Sequence, residues 1–260
     1  MGSVLRKYWF LTLVSLLFFA STGLAQQDTI TFENGGVYPG VGPAYVNPYS
    51  GLVNGVSTPM ICDDWADEVY VGETWTANVT NITSLGSSTQ NPPYFTNTNA
   101  SAYSTLAGIK LGPLTQGQLY DAVANLGSEM LALPSGDTSD QTALSYAIWE
   151  LTCATTGASC ADQPFNAIYG TSFFSTASAD LSAAVTQAES NNPFNAAGWE
   201  ILTPTGPGTC SGGAPGGCGE PQEFLVYAPE SSPGILLGAD MIGLLGLVFL
   251  FRRRLLRPIQ

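Results

Sequence analysis

The residues best suited to chemistry lie at positions 62–68: Cys62, Asp63, Asp64, Trp65, Ala66, Asp67 and Glu68. Four carboxylates so close together repel one another unless water or a cation neutralises them. Calcium takes about six to eight oxygen ligands, and Asp63, Asp64, Asp67 and Glu68 are the candidate donors. Their spacing departs from an EF-hand loop, and an exposed acidic turn is the other reading. The chain contains no histidine, the commonest general base and metal ligand. Ser-His-Asp and Cys-His catalysis are therefore excluded. No glycine-rich phosphate loop opens a helix. Two carboxylates can hydrolyse a glycoside without histidine, and Glu150 with Asp63 is the conceivable pair. Nothing in the sequence fixes their separation.

Five cysteines complete the reactive set. Cys153 and Cys160 enclose six residues, and Cys210 and Cys218 enclose seven rich in Gly, Pro and Ser. In an exported chain each pair is expected to close a local disulfide, although spacing alone does not prove connectivity. Cys62 is then left over as a candidate reactive thiol. Zinc is disfavoured, because histidine is absent and no C-x-x-C pair occurs. Tyr38, Tyr45, Tyr49, Trp65 and Trp75 can stack against the sugar rings of a matrix polysaccharide, or they can pack a core.

Charge narrows the partners. Formal net charge is −13, and six of the seven basic residues lie near the ends: Arg6, Lys7, Arg252, Arg253, Arg254 and Arg257. Residues 26–230 hold nineteen acids against Lys110 alone, a net charge near −18. Nucleic acid and anionic lipid surfaces are thereby excluded as partners.

About 200 residues between the ends suffice for one domain with a core. Residues 28–33 alternate polar and apolar, as a half-buried strand does. Residues 35–54, rich in Gly, Pro and Tyr, read as turns and short strands. Residues 68–83 carry Val69, Val71, Trp75, Ala77 and Val79 in near alternation, and a break at Gly72-Glu73 suggests a hairpin. Residues 86–99 read as a polar loop. The period then changes. Thr115 caps a helix through Leu119, Val123, Leu126 and Met130. A second starts within residues 137–140 and places Ala143, Ala147, Ile148 and Leu151 on one face. A third covers residues 178–190. Strands follow at 200–203 and 223–227. The order strands, helices, strands predicts an α+β domain: a β-sheet or sandwich with a helical insert.

The two ends carry their own patterns. Arg6 and Lys7 precede an apolar run at 8–19, and Gly23 and Ala25 stand three and one before Gln26. This is the tripartite pattern of a cleaved secretory signal, with residues 1–25 removed. At the other end, residues 228–233 are polar and Pro-rich, and 234–251 are apolar except for Asp240. Arg252, Arg253 and Arg254 follow directly. A run of about 20 apolar residues can cross a bilayer, with the arginines on the cytoplasmic side. The chain thus divides into a signal at 1–25, an extracytoplasmic domain at 26–227 and a tail at 228–260 containing a transmembrane helix at 234–251.

The sequence Pro229-Glu230, the apolar run and the arginine cluster together resemble the PEP-CTERM sorting signal of Gram-negative bacteria. The resemblance covers about the last 32 residues, and Ser231 stands where the signal's second proline would be. It implies processing by an exosortase, a membrane-embedded cysteine protease, and delivery to the cell surface or extracellular matrix. Pro229, Glu230, Arg252, Arg253 and Arg254 would be the sorting residues. A second stretch, residues 140–149, is similar to the helix of surface thioester domains that carries T-Q-x-A-[IV]-W. Ala147, Ile148 and Trp149 match the end of that motif, and Cys62 would be the matching cysteine. Leu144 and Ser145 replace the threonine and glutamine. Serine supplies no acyl group, and Gln141 lies one turn earlier, about 6 Å along the helix axis.

The expectation is an exported, non-enzymatic surface or matrix protein, needing no cofactor beyond a candidate calcium. Its partners would be an exosortase-like enzyme, the membrane and a matrix polysaccharide. The alternatives are a thioester-type adhesin using Cys62 and a secreted carboxylate-based glycosidase.

Overall fold

A computed structural model describes residues 26–38, 45–64, 68–85, 114–134, 136–156, 165–190, 192–210 and 221–228, with only the backbone of 153–156 and 165–174. The signal at 1–25, the polar loop at 86–99 and the tail beyond residue 228 lie outside the described residues. Among the described residues no helix is long and apolar enough to cross a membrane.

Among the described residues seven strands form: β1 (Gln27–Asn34), β2 (Tyr49–Val53), β3 (Val56–Cys62), β4 (Glu73–Asn81), β5 (Trp199–Pro204), β6 (Thr209–Cys210) and β7 (Phe224–Tyr227). Their order is β1-β2-β3-β7-β5-β4, and β4 pairs back onto β1. Every pairing is antiparallel. Six strands therefore close into a barrel, and β6 pairs beside the start of β4. The expected sheet or sandwich is corrected to a barrel, because β4 completes pairing on both its edges. Closure gives each of the six barrel strands a partner on both sides.

Local chemistry accounts for these elements. Asn54 and Gly55 take positive φ of 50° and 81°, and Val53 pairs with Val56 across them. An Asn-Gly pair with both residues left-handed is the favoured two-residue hairpin turn. The expected hairpin at 68–83 is also corrected. Only Glu73–Asn81 forms strand; Gly72, at φ 85°, ends a turn whose N–H donates to the Phe32 carbonyl. Val71 is 71% exposed, so the alternation ahead of Gly72 is not that of a buried strand.

Among the described residues three α-helices lie between β4 and β5: α1 (Gln116–Ala132), α2 (Thr138–Thr156) and α3 (Phe165–Glu189). They are the expected insert. Thr115 and Gln118 form a reciprocal capping box at the start of α1, which satisfies two N–H groups that have no partner within the helix. The Asp137 side chain accepts from Asp140 N–H at the start of α2. α3 begins well before the expected residue 178.

The pleat sorts side chains to the two faces of the barrel wall. Ile30, Phe32, Tyr49, Met60, Cys62, Trp75, Leu202, Phe224 and Val226 fill the interior. Ile61, Ile201 and Leu225 alternate with these and point outward, where they join Leu119, Val123, Leu126 and Ile148 of the helical layer. The molecule thus has two cores that share one wall.

Candidate functional site

The site is built at the end of β3, where the chain leaves the barrel beneath α1 and α2. Cys62 and Asp63 are consecutive, so their side chains take opposite faces. Cys62 is fully buried among the interior aromatics. Its thiol donates to the Asp64 carbonyl at 3.1 Å. Burial, reinforced by the neighbouring Asp64 and Asp63, pushes that thiol well above its ordinary range. The thiolate is the nucleophile, and burial disfavours that form at Cys62.

The backbone of this segment is gripped from three directions. The Asn47 side chain donates to the Cys62 carbonyl at 3.0 Å and accepts from Cys62 N–H at 2.6 Å. Trp149 Nε1 donates to the same carbonyl at 3.0 Å. The Thr152 hydroxyl donates to the Asp63 carbonyl, and Gln222 Nε2 donates to the Asp64 carbonyl at 2.9 Å. Ser145 reaches the site through Asn47: its hydroxyl accepts from Asn47 N–H at 3.0 Å and donates to the Gln141 carbonyl at 2.8 Å. Ser145, Trp149 and Thr152 lie on one face of α2 at helical spacing. That face anchors the turn after Cys62.

Asp63 points outward into the seam between barrel and helices. It is fully buried, as is Glu223, which directly precedes β7. Tyr120 of α1 donates its hydroxyl to Glu223 Oε1, and Thr203 of β5 donates to Glu223 Oε2. Among the described residues no donor makes a regular hydrogen bond to either oxygen of Asp63. The acids that act on it are Glu223 and Asp64, and with burial as the largest cause they push its carboxyl well above the usual range.

The sequence-predicted residues separate accordingly. Asp63 and Asp64 are buried, so the exposed acidic turn is corrected at those positions. Glu68 is exposed and accepts from the Tyr70 hydroxyl at 3.0 Å. Asp67 and Trp65 lie outside the described residues. Among the described residues, which do not include Asp67, no group of three Cys, Asp or Glu is placed to hold a metal ion. Glu150 is buried on α2, but the carboxyl that Asp63 faces is Glu223. Tyr49 and Trp75 pack inside the barrel against Phe224. Tyr38 and Tyr45 remain as an exposed pair with ring centroids 5.5 Å apart.

Cys210 is disulfide-bonded, while Cys218, Cys160 and the Cys153 side chain are not among the described groups. Cys62 is a free, buried thiol. Gln141 is buried with its side-chain oxygen unpaired.

Sequence reasoning missed Asn47, Tyr120, Thr152, Thr203 and Glu223. The one available signal was Gln222-Glu223, two polar residues abutting the apolar run Phe224–Tyr227. A closed pair of carboxyls flanked by hydroxyls can bind and release a proton; it presents no exposed surface to a substrate. No family model, curated protein or solved structure matches this chain.

Proposed function

We propose that this chain is an exported, non-enzymatic protein of the cell surface or extracellular matrix, retained and processed through its C-terminal tail. The observation that carries the reading is the tail's order: Pro229-Glu230, apolar residues 234–251, then Arg252, Arg253 and Arg254. In this reading the apolar run is a transmembrane helix, the arginines stay cytoplasmic, and residues 26–227 lie outside the membrane. The disulfide at Cys210 supports an oxidising compartment. The net charge near −18 over residues 26–230 argues against nucleic acid. The partners are an exosortase-like enzyme and a matrix polysaccharide, for which the exposed Tyr38–Tyr45 pair offers apolar ring faces.

The test is the intact mass of the protein recovered from its native cells and their matrix. A C-terminus within residues 229–232, without the arginines, supports processing. A chain still ending at Gln260 makes it a single-span membrane protein and overturns release to the matrix.

A thioester-type adhesin has one supporting observation: α2 contacts the Cys62 segment through Ser145-linked Asn47 and through Trp149. Ser145 has no acyl group to offer, so the likeness supports shared architecture without the bond. Loss of one ammonia from the intact mass, or methylamine incorporation at Gln141, would reinstate the adhesin.

A further inference from the structure

The chain carries three Asn-x-Ser/Thr triplets: Asn78-Val79-Thr80, Asn81-Ile82-Thr83 and Asn99-Ala100-Ser101. In a secreted protein such a triplet at the surface is an acceptor for N-linked sugar. The third lies outside the described residues. The first two follow one another along β4 and the turn after it, yet the fold treats them oppositely. Asn78 is paired on both sides, with Gln27 of β1 and with Thr203 of β5. It is 8% exposed, and Gln27 Nε2 donates to its Oδ1 at 3.1 Å. Thr80, the hydroxyl residue of that triplet, is buried.

Asn81 is the last residue of β4. The pairing of β1 with β4 has ended three residues earlier, at Gln27 and Asn78, while β5 continues through Glu200. A single 3-10 turn, Ile82–Ser84, then carries the chain off the sheet. Ile82 is buried and anchors the turn, whereas Thr83 is exposed and Asn81 partly so. The Thr83 N–H and the Thr83 hydroxyl both donate to Asn81 Oδ1, at 2.9 and 2.6 Å. Two donors on one end of the amide identify that end as the oxygen and fix the amide plane. Nδ2 is the other end. It has no protein partner among the described residues and is not sealed from solvent.

We propose that Asn81 is an acceptor for N-linked oligosaccharide and that Asn78 is not. This rests on the export of residues 26–227 proposed above, since the sugar is added outside the cytoplasm. The co-reactant is an oligosaccharide carried on a polyprenyl diphosphate, and a membrane oligosaccharyltransferase performs the step. Asn81 Nδ2 bonds to the anomeric carbon of the first sugar. The bond from that carbon to the diphosphate oxygen breaks, the diphosphate leaves with the electron pair, and Nδ2 releases one proton. Thr83 is a positioning residue: its hydroxyl holds the amide and takes no part in the new bond.

The experiment uses the full chain recovered from its native cells, with its peptides sequenced by tandem mass spectrometry while any sugar is still attached. Asn81 is expected to carry the added mass of a saccharide, and Asn78 none. Thr83→Val, which removes an exposed hydroxyl, is expected to lose that mass. Thr83→Ser, which restores a hydroxyl, is expected to keep it, and Thr80→Val is expected to leave the pattern unchanged. A mature chain beginning at Gln26 with Asn81 unmodified overturns the proposal and leaves the export reading standing. A chain beginning at Met1 with Asn81 unmodified overturns both. A saccharide on Asn78, or one on Asn81 that survives Thr83→Val, overturns the choice of site made from the fold.

Discussion

The barrel interior and the seam beneath the helices share the same wall but are held by different forces. Inside, Phe224 sits among Phe32, Tyr49 and Trp75, with ring centroids about 6 Å away (6.1, 5.9 and 6.0 Å). Such packing depends chiefly on shape and buried area, and ring pairs at these distances add about 0.5–1.5 kcal/mol each beyond that area. In the seam, Asn47, Trp149, Thr152 and Gln222 bind one turn through directional hydrogen bonds. Apolar contact alone would let the helices slide across Ile61, Ile201 and Leu225. The buried polar groups permit one docking position, since any other leaves them unpaired at a cost of about 1–3 kcal/mol each. The interior therefore supplies bulk stability, and the seam supplies the register of helices on barrel.

This contrast can be broken by experiment. The largest effect is expected from Phe224→Ala, which empties the middle of the interior cluster. A loss of about 3–5 kcal/mol is expected from chemical denaturation. Hydrogen exchange should rise in barrel and helices alike. Asn47→Ala comes next, at about 1–3 kcal/mol, because it strips the partner from the buried Cys62 N–H. Here exchange should rise first in α1 and α2 while the barrel strands stay protected. An equal rise in both regions would erase the distinction drawn between them.

Thr152→Val is expected to cost about 1 kcal/mol, since it removes one hydroxyl bond to the Asp63 carbonyl and keeps the shape. A variant as stable as the wild type would remove Thr152 from the seam's list of anchors.

The smallest effect concerns acid. Partial burial pushes Asp121 up to about 6, and burial raises Glu129, Asp180 and Glu73 as well. Each therefore holds protons more tightly folded than unfolded. Their contribution is complete below the unfolded value and is lost as pH rises through the folded one. For Asp121 that window runs from about 4, its unfolded reference, to about 6. Melting temperature is thus expected to rise modestly as pH falls from 7 to 5. A fall over that interval would show that other groups dominate the linkage.

Much of the local structure was legible before folding. Thr115 announced α1 because a capping hydroxyl acts on N–H groups a few residues away. Leu119, Val123, Leu126 and Met130 announced its buried face because a helix repeats every 3.6 residues. The Asn54-Gly55 turn was equally legible, although residues 35–54 read only as turns and short strands. What stayed hidden was long-range. Asn47 and Ser145 are 98 positions apart, and Asp63 and Thr152 are 89 apart. No local pattern marks such partners. Residues 62–68 looked like an exposed acidic turn because four adjacent acids ordinarily seek water.

By itself the sequence determined the exclusion of histidine chemistry, the excess of negative charge and the order of strands, then helices, then strands. These follow from composition and short periodicities, which are properties of neighbours along the chain. Only the tertiary structure decided that the sheet closes into a barrel, since closure depends on β4 pairing with both β1 and β5. It alone turned Cys62 inward and Asp63 outward, set Asp63 against Glu223 and brought Trp149 to the Cys62 carbonyl. Burial removes water from these groups, and without water each must find its partner in the protein.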